Sequence, residues 1–92
     1  MTSQTEPSLT AEEILLGEIR DELTRAREKF PGDRVTFTAL VEEVGELAKA
    51  FLDEPQDRIR EEAVQVAVMA IRCVLDGDSS YNKLRQERKL DF

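Results

Sequence analysis

Four side chains in the middle of this 92-residue chain have the types and spacing to do chemistry: Glu43 and Glu46, then Glu62 and Gln65. Each pair stands at i and i+3, a separation that puts two side chains on one helical face. On a wheel of about 100° per residue, Glu43 lies between Ala39 and Ala50 on one side and Leu40 and Leu47 on the other. Glu46 sits at the edge of that face, beside Ala39, whereas Thr38, Glu42, Gly45 and Lys49 fall together on a polar arc. In the second segment every residue from Ala63 to Ile71 is apolar except Gln65, and Glu62 projects on the side of Val66, Met69 and Cys73.

Most helical glutamates are solvated, and a fully buried one is almost always paired. Carboxylates on faces this apolar have two outlets. One is a structural ion pair, for which Arg58, Arg60 and Lys49 are at hand. The other is a shared cation, because bringing ionised carboxylates together away from water is costly without one. Magnesium suits an all-oxygen site that also holds phosphates.

Composition narrows the chemistry further. The chain has no histidine, so it lacks the commonest general base and the commonest zinc ligand. With Cys73 as the single cysteine, zinc is disfavoured and no intramolecular disulfide forms. Thirteen basic against twenty acidic residues give a net charge of −7, without the basic footprint that polymeric nucleic acid requires. Met1 to Pro7 is polar, with no apolar signal core, and the longest apolar stretch is too short to span a membrane. The expectation is a soluble cytoplasmic protein.

These residues are positioned by helices. Scarce aromatics and ungrouped β-branched residues disfavour a sheet, and 36% charged residues suit soluble helices. Residues 1–8 read as a disordered leader, and 9–92 as one domain. Thr10 and Glu13 form a capping-box pattern, and Leu16, Ile19, Leu23, Ala26 and Phe30 recur at helical spacing to about Lys29. Phe30-Pro31-Gly32-Asp33 ends this helix. The second helix is predicted from Thr36 or Thr38 to Asp53, with Phe37, Leu40, Val41, Val44, Leu47, Ala48 and Phe51 as its core stripe. A third starts at Pro55 and runs to about Leu75, stopped by Asp76-Gly77-Asp78. A short basic fourth, Tyr81 to about Lys89, is capped by Ser79 or Ser80. The expected fold class is a small all-α four-helix bundle. A chain this short buries only roughly 60–70% of its unfolded surface, so completion by oligomerisation is expected.

The run Glu42-Glu43-Val44-Gly45-Glu46-Leu47, followed by Glu61-Glu62-Ala63-Val64-Gln65, resembles the MazG-like all-α nucleoside triphosphate pyrophosphohydrolases, whose pattern is EExxE on one helix and ExxD on the next. Lys29-Phe30-Pro31-Gly32 and Thr38-Ala39-Leu40-Val41 are also similar to small members, so the likeness spans about Phe30 to Leu75. The resemblance implies magnesium-dependent cleavage between the α- and β-phosphates, with manganese as a possible substitute metal. Carried over by position, Glu43, Glu46 and Glu62 are metal ligands, with Gln65 at the fourth corner; Glu42, Glu43 and Glu46 are the catalytic carboxylates. Glu42 or Glu46 is the candidate general base. On the basic fourth helix Lys83, Arg85 and Arg88 are candidates for the substrate phosphates, and a solvated basic tail is the plainer reading of each. The implied assembly is a homodimer or a dimer of dimers.

Gln65 departs from the family, standing where an aspartate belongs. An amide oxygen still ligates a hard cation, but it brings no charge. Three readings follow: an active nucleotide-pool hydrolase, a metal- or nucleotide-binding relative with impaired turnover, and a helical oligomerisation or adaptor protein. Phe37 and Met69 read as packing, and Cys73 as a small buried hydrophobe.

Overall fold

A computed structural model of the protein describes residues 8–89. The leader expected over residues 1–8 lies, but for Ser8, outside the described residues, as do the last three residues. Three long helices, α1 (Ala11–Lys29), α2 (Thr36–Asp53) and α3 (Gln56–Leu75), are followed by a 3-10 turn at Ser79–Tyr81 and a short α4 (Asn82–Glu87). There is no strand among the described residues.

Local sequence accounts for most boundaries. The Thr10 hydroxyl accepts from the Glu13 N–H at 3.1 Å, and the Glu13 carboxylate accepts from the Thr10 N–H at 3.1 Å, so the capping box opens α1 as expected. Pro31 follows its last turn, and Gly32 takes a left-handed φ of +103° that a Cβ would oppose. Gly77, at φ +76°, turns the chain after α3 in the same way.

The start of α2 is different, because its cap comes from 43 residues away. Val35, the residue before it, is left-handed at φ +56°, an unusual state for a β-branched side chain. The Asp78 carboxylate accepts from the Val35 N–H at 3.2 Å and from the Phe37 N–H at 2.8 Å. The Thr36 hydroxyl donates to the Gly77 carbonyl at 2.7 Å, and the Ser79 N–H donates to the Asp33 carbonyl at 2.7 Å. Asp78 also accepts from the Ser80 N–H at 3.0 Å. Burial pushes its carboxyl up, but these hydrogen bonds outweigh burial and hold it below the usual range. The expected Ser79 or Ser80 cap is thus corrected to Asp78, and the expected helix over Tyr81–Lys89 to a 3-10 turn and the six residues of α4.

Helix α3 is the central element. It packs against α2 on one side and α1 on the other, while the backbones of α1 and α2 do not approach each other and that of α4 lies against the 3-10 turn. The fold is all-helical, but within one chain the four helices do not close around a common core. Among the described residues only Ala50, Val64 and Val68 are buried apolar residues. The face of α2 turned inward carries Thr36, Ala39, Leu40, Glu43, Leu47 and Ala50. Of the expected core stripe, Leu40 and Leu47 are half-buried, but Phe37, Val41, Val44, Ala48 and Phe51 are exposed. The expected stripe merged two faces, only one of which has a partner here. Phe37, read as core from periodicity, instead meets Tyr81 edge-on at 5.8 Å. On α1 the inward position is Leu15 rather than the predicted Leu16, which is 63% exposed.

A buried arginine joins these parts. Arg72, 3% exposed, donates to the Phe30 and Gly32 carbonyls at 2.9 Å each and to Asp76 at 2.9 Å. Asp76 also accepts from Arg27 of α1 at 2.6 and 3.1 Å. The Arg27 hydrogen bonds, helped by Arg72 and opposed by burial, hold the Asp76 carboxyl below its usual range. Arg72→Met keeps the volume but leaves two carbonyls without their donor and Asp76 with Arg27 alone, so a loss of about 3 kcal/mol is expected. Urea unfolding of the two proteins checks it.

Candidate functional site

The inward faces of the three long helices leave a cleft of about 940 Å³ between them. Glu22, Arg25, Ala26 and Lys29 come from α1, Ala39, Glu42 and Glu43 from α2, and Gln65, Met69 and Arg72 from α3. Residues 30–36, including Arg34, close one end. A smaller hollow of about 500 Å³ adjoins it, shares Glu22, Arg25 and Gln65, and is lined by Glu62.

Glu43 and Glu62 meet across the α2–α3 contact. Glu62 is 8% exposed and Glu43 is half-buried. Burial is the first cause that pushes the Glu43 carboxyl above its usual range; next come a hydrogen bond with Glu62 and the charges of Glu62, Glu46 and Glu42. Two carboxylates this close need a proton or a cation between them. Part of that need is met from within α3, since Arg58 donates to Glu62 at 2.7 Å and to Glu54 at 3.3 Å, and also pairs with Glu61. The structural ion pair considered for Arg58 therefore forms. Arg60 instead reaches Glu18 at 2.8 Å, and Lys49 stands 4.0 Å from Glu54.

The other candidates divide. Thr38, Glu42, Gly45 and Lys49 are all exposed, as the wheel requires, although Glu42 still lines the cleft. Glu46 is exposed too, which corrects its expected place on the apolar face: it acts on Glu43 through its charge, from the rim. Among the described residues, no three acidic, histidine or cysteine side chains are grouped as a metal site. Gln65 does not face the Glu43–Glu62 pair with a free amide, because its NH₂ donates to Glu22 of α1. Its Oε1 remains available as an acceptor or ligand. Lys83, Arg85 and Arg88 of α4 do not line the cleft; Arg85 lines a separate hollow with Phe37, Cys73 and Tyr81.

Glu22, Arg25, Lys29 and Arg34 line the cleft without having been singled out from sequence. On α1, Glu22 and Arg25 flank the apolar positions Leu23 and Ala26, and only the packing of α1 on α3 brings them to the cleft. Comparisons with protein-family models, with curated proteins and with solved structures return no match.

The raised Glu43 carboxyl has a definite consequence for stability. The native state holds its proton to higher pH than the unfolded chain does, so stability falls as pH rises from the usual glutamate range upward. Glu43→Gln removes that penalty and keeps a donor for Glu62. In chelator, the variant is expected to melt a few degrees higher than wild type at neutral pH. The difference should vanish near about pH 4, as thermal melts across that range will show.

Proposed function

We propose that the chain is a magnesium-dependent nucleoside triphosphate pyrophosphohydrolase of the MazG-like all-α kind, releasing a nucleoside monophosphate and pyrophosphate and acting on the cytoplasmic nucleotide pool. The observation that carries this reading is the Glu43–Glu62 contact beside a cleft that also presents cationic side chains. The donor chemistry fits a hard cation: both groups are oxygen ligands, and Glu43 is driven toward a proton when no cation offsets its neighbours. Glu43, Glu46 and Glu62 would hold magnesium or manganese, with the Gln65 Oε1 as a neutral donor, and the bound ion supplies charge neutralisation at phosphate oxygens.

The remaining work falls to the chain. Glu42 lines the cleft and is exposed, which favours it over Glu46 as the base that takes the proton of the attacking water. As the water oxygen bonds to phosphorus, the bond to the departing pyrophosphate oxygen breaks. Arg58 holds Glu62 and so positions one wall of the site.

A second reading, impaired turnover, is favoured by the commitment of Gln65 to Glu22. A pyrophosphate-release screen over the common ribo- and deoxyribonucleoside triphosphates tests both. Wild type is expected to turn over at least one of them. Glu43→Gln should lose more than the roughly 10–100-fold that removal of a supporting partner costs. Silence from wild type, with activity gained in Gln65→Asp, would move the conclusion to impaired turnover. Gln65→Asp sets a carboxylate against Glu22, so it should melt lower than wild type in chelator and regain the difference in magnesium.

The assembly belongs to the same proposal. Phe37, Val41, Val44, Ala48 and Phe51 recur at alternating steps of four and three along the exposed face of α2, the spacing of a helix–helix seam. With three buried apolar residues among those described, a partner that is always present is needed, and a second copy of the chain is the simplest. Val44→Glu is expected to convert a dimer to a monomer in sedimentation velocity; an unchanged mass would remove α2 from the interface.

A further inference from the structure

Four cationic side chains line the cleft, and three of them are already engaged. Arg72 is bonded to two carbonyls and Asp76, Arg25 pairs with Glu22, and Lys29 lies over the Phe30 ring at 5.4 Å. Arg34 has no hydrogen-bond or ion-pair partner among the described residues. Its backbone, by contrast, is anchored on both sides. Before it, the Asp33 carbonyl accepts from the Ser79 N–H at 2.7 Å, and the Asp33 carboxylate from the Ser79 hydroxyl at 2.9 Å. After it come the Val35 and Phe37 N–H bonds to Asp78 and the Thr36 hydroxyl bond to the Gly77 carbonyl. Val35 is held left-handed within this clamp, a conformation that β-branched residues rarely adopt.

We infer that Arg34 is the residue that receives the polyphosphate of the substrate, and that the Asp33–Phe37 clamp exists to present it at the mouth of the cleft. A guanidinium offers a planar fork that matches two phosphate oxygens, and a preset backbone lowers the entropy lost when it binds. The cleft also carries Glu22, Glu42 and Glu43, so an anion entering it needs an unpaired cation at the entrance. Arg34 supplies one; Lys83 and Arg88, which do not line the cleft, do not. This deepens the hydrolase proposal and rests on it, and it assigns to the α1–α2 loop the role expected of α4.

The test uses inorganic tripolyphosphate with magnesium, a probe that is independent of the base, titrated calorimetrically into the full chain. Arg34→Ala is expected to weaken binding at least tenfold, Arg34→Lys to recover part of the loss, and Lys83→Ala and Arg88→Ala to bind as wild type does. The magnesium-dependent melting shift should be the same in Arg34→Ala as in wild type, since the metal is held elsewhere. With a turned-over nucleotide, Arg34→Ala should raise KM by more than it lowers kcat. Wild-type affinity in Arg34→Ala, or a loss confined to the α4 variants, overturns the inference and leaves the hydrolase reading standing. No tripolyphosphate binding by wild type overturns the inference as well. Binding that depends on Arg34, without pyrophosphate release from any nucleotide, keeps the polyphosphate site and sinks the hydrolase.

Discussion

The structure depends on one buried guanidinium. Arg72 leaves α3 near its end and bonds the carbonyls of Phe30 and Gly32, which belong to the connection between α1 and α2. Through Asp76 it is also tied to Arg27 of α1. Buried carbonyls without donors are costly, and a buried charge without partners costs more. Each of these groups is tolerable only because the others are present. With so few fully buried apolar side chains, hydrophobic burial alone does not set how α1 lies on α3. The polar network supplies the register, and the loop it holds carries Arg34 and the strained Val35.

A second polar lock lies beside the first. Asp78 stands in for the missing cap of α2, and Ser79 holds Asp33. Helix α2 is therefore oriented from its N-terminus by the segment that follows α3. Rotating α2 about its axis would break those bonds, so they also fix which face of α2 meets α3. That face carries Glu43 among Ala39, Leu40 and Leu47, and the consequence is its approach to Glu62. The electrostatic tension at the pair and the uncovered apolar row along α2 have one cause. Helix α2 is apolar on two faces, and a single chain covers only one.

Much of this was legible in residue order. The capping box at Thr10, the turns at Pro31-Gly32 and Gly77, and the limits of α3 are local events, and local chemistry determines them. Helical period placed Glu43 inward and the arc of Thr38, Glu42, Gly45 and Lys49 outward. A helix apolar all round was read as central, and α3 is central. Periodicity has no information on how many neighbours a helix has. It therefore assigned Phe37, Val44 and Phe51 to a core that one chain does not build, and set Glu46 on a covered face although it stands at the rim.

The sequence by itself thus determined the three long helices, their order and the faces on which Glu43 and Glu62 stand, because these follow from spacings within a turn or two. Tertiary structure alone decided what surrounds them. Gln65 met Glu22 because α1 lies on α3, and α2 was capped by Asp78 because α3 ends beside its start. Those pairings join groups up to 43 residues apart, at separations where chain order carries no distance. Arg34 became a candidate in the same way. In sequence it is one arginine among many, and in the fold it is the cleft-lining cation left without a partner among the described residues.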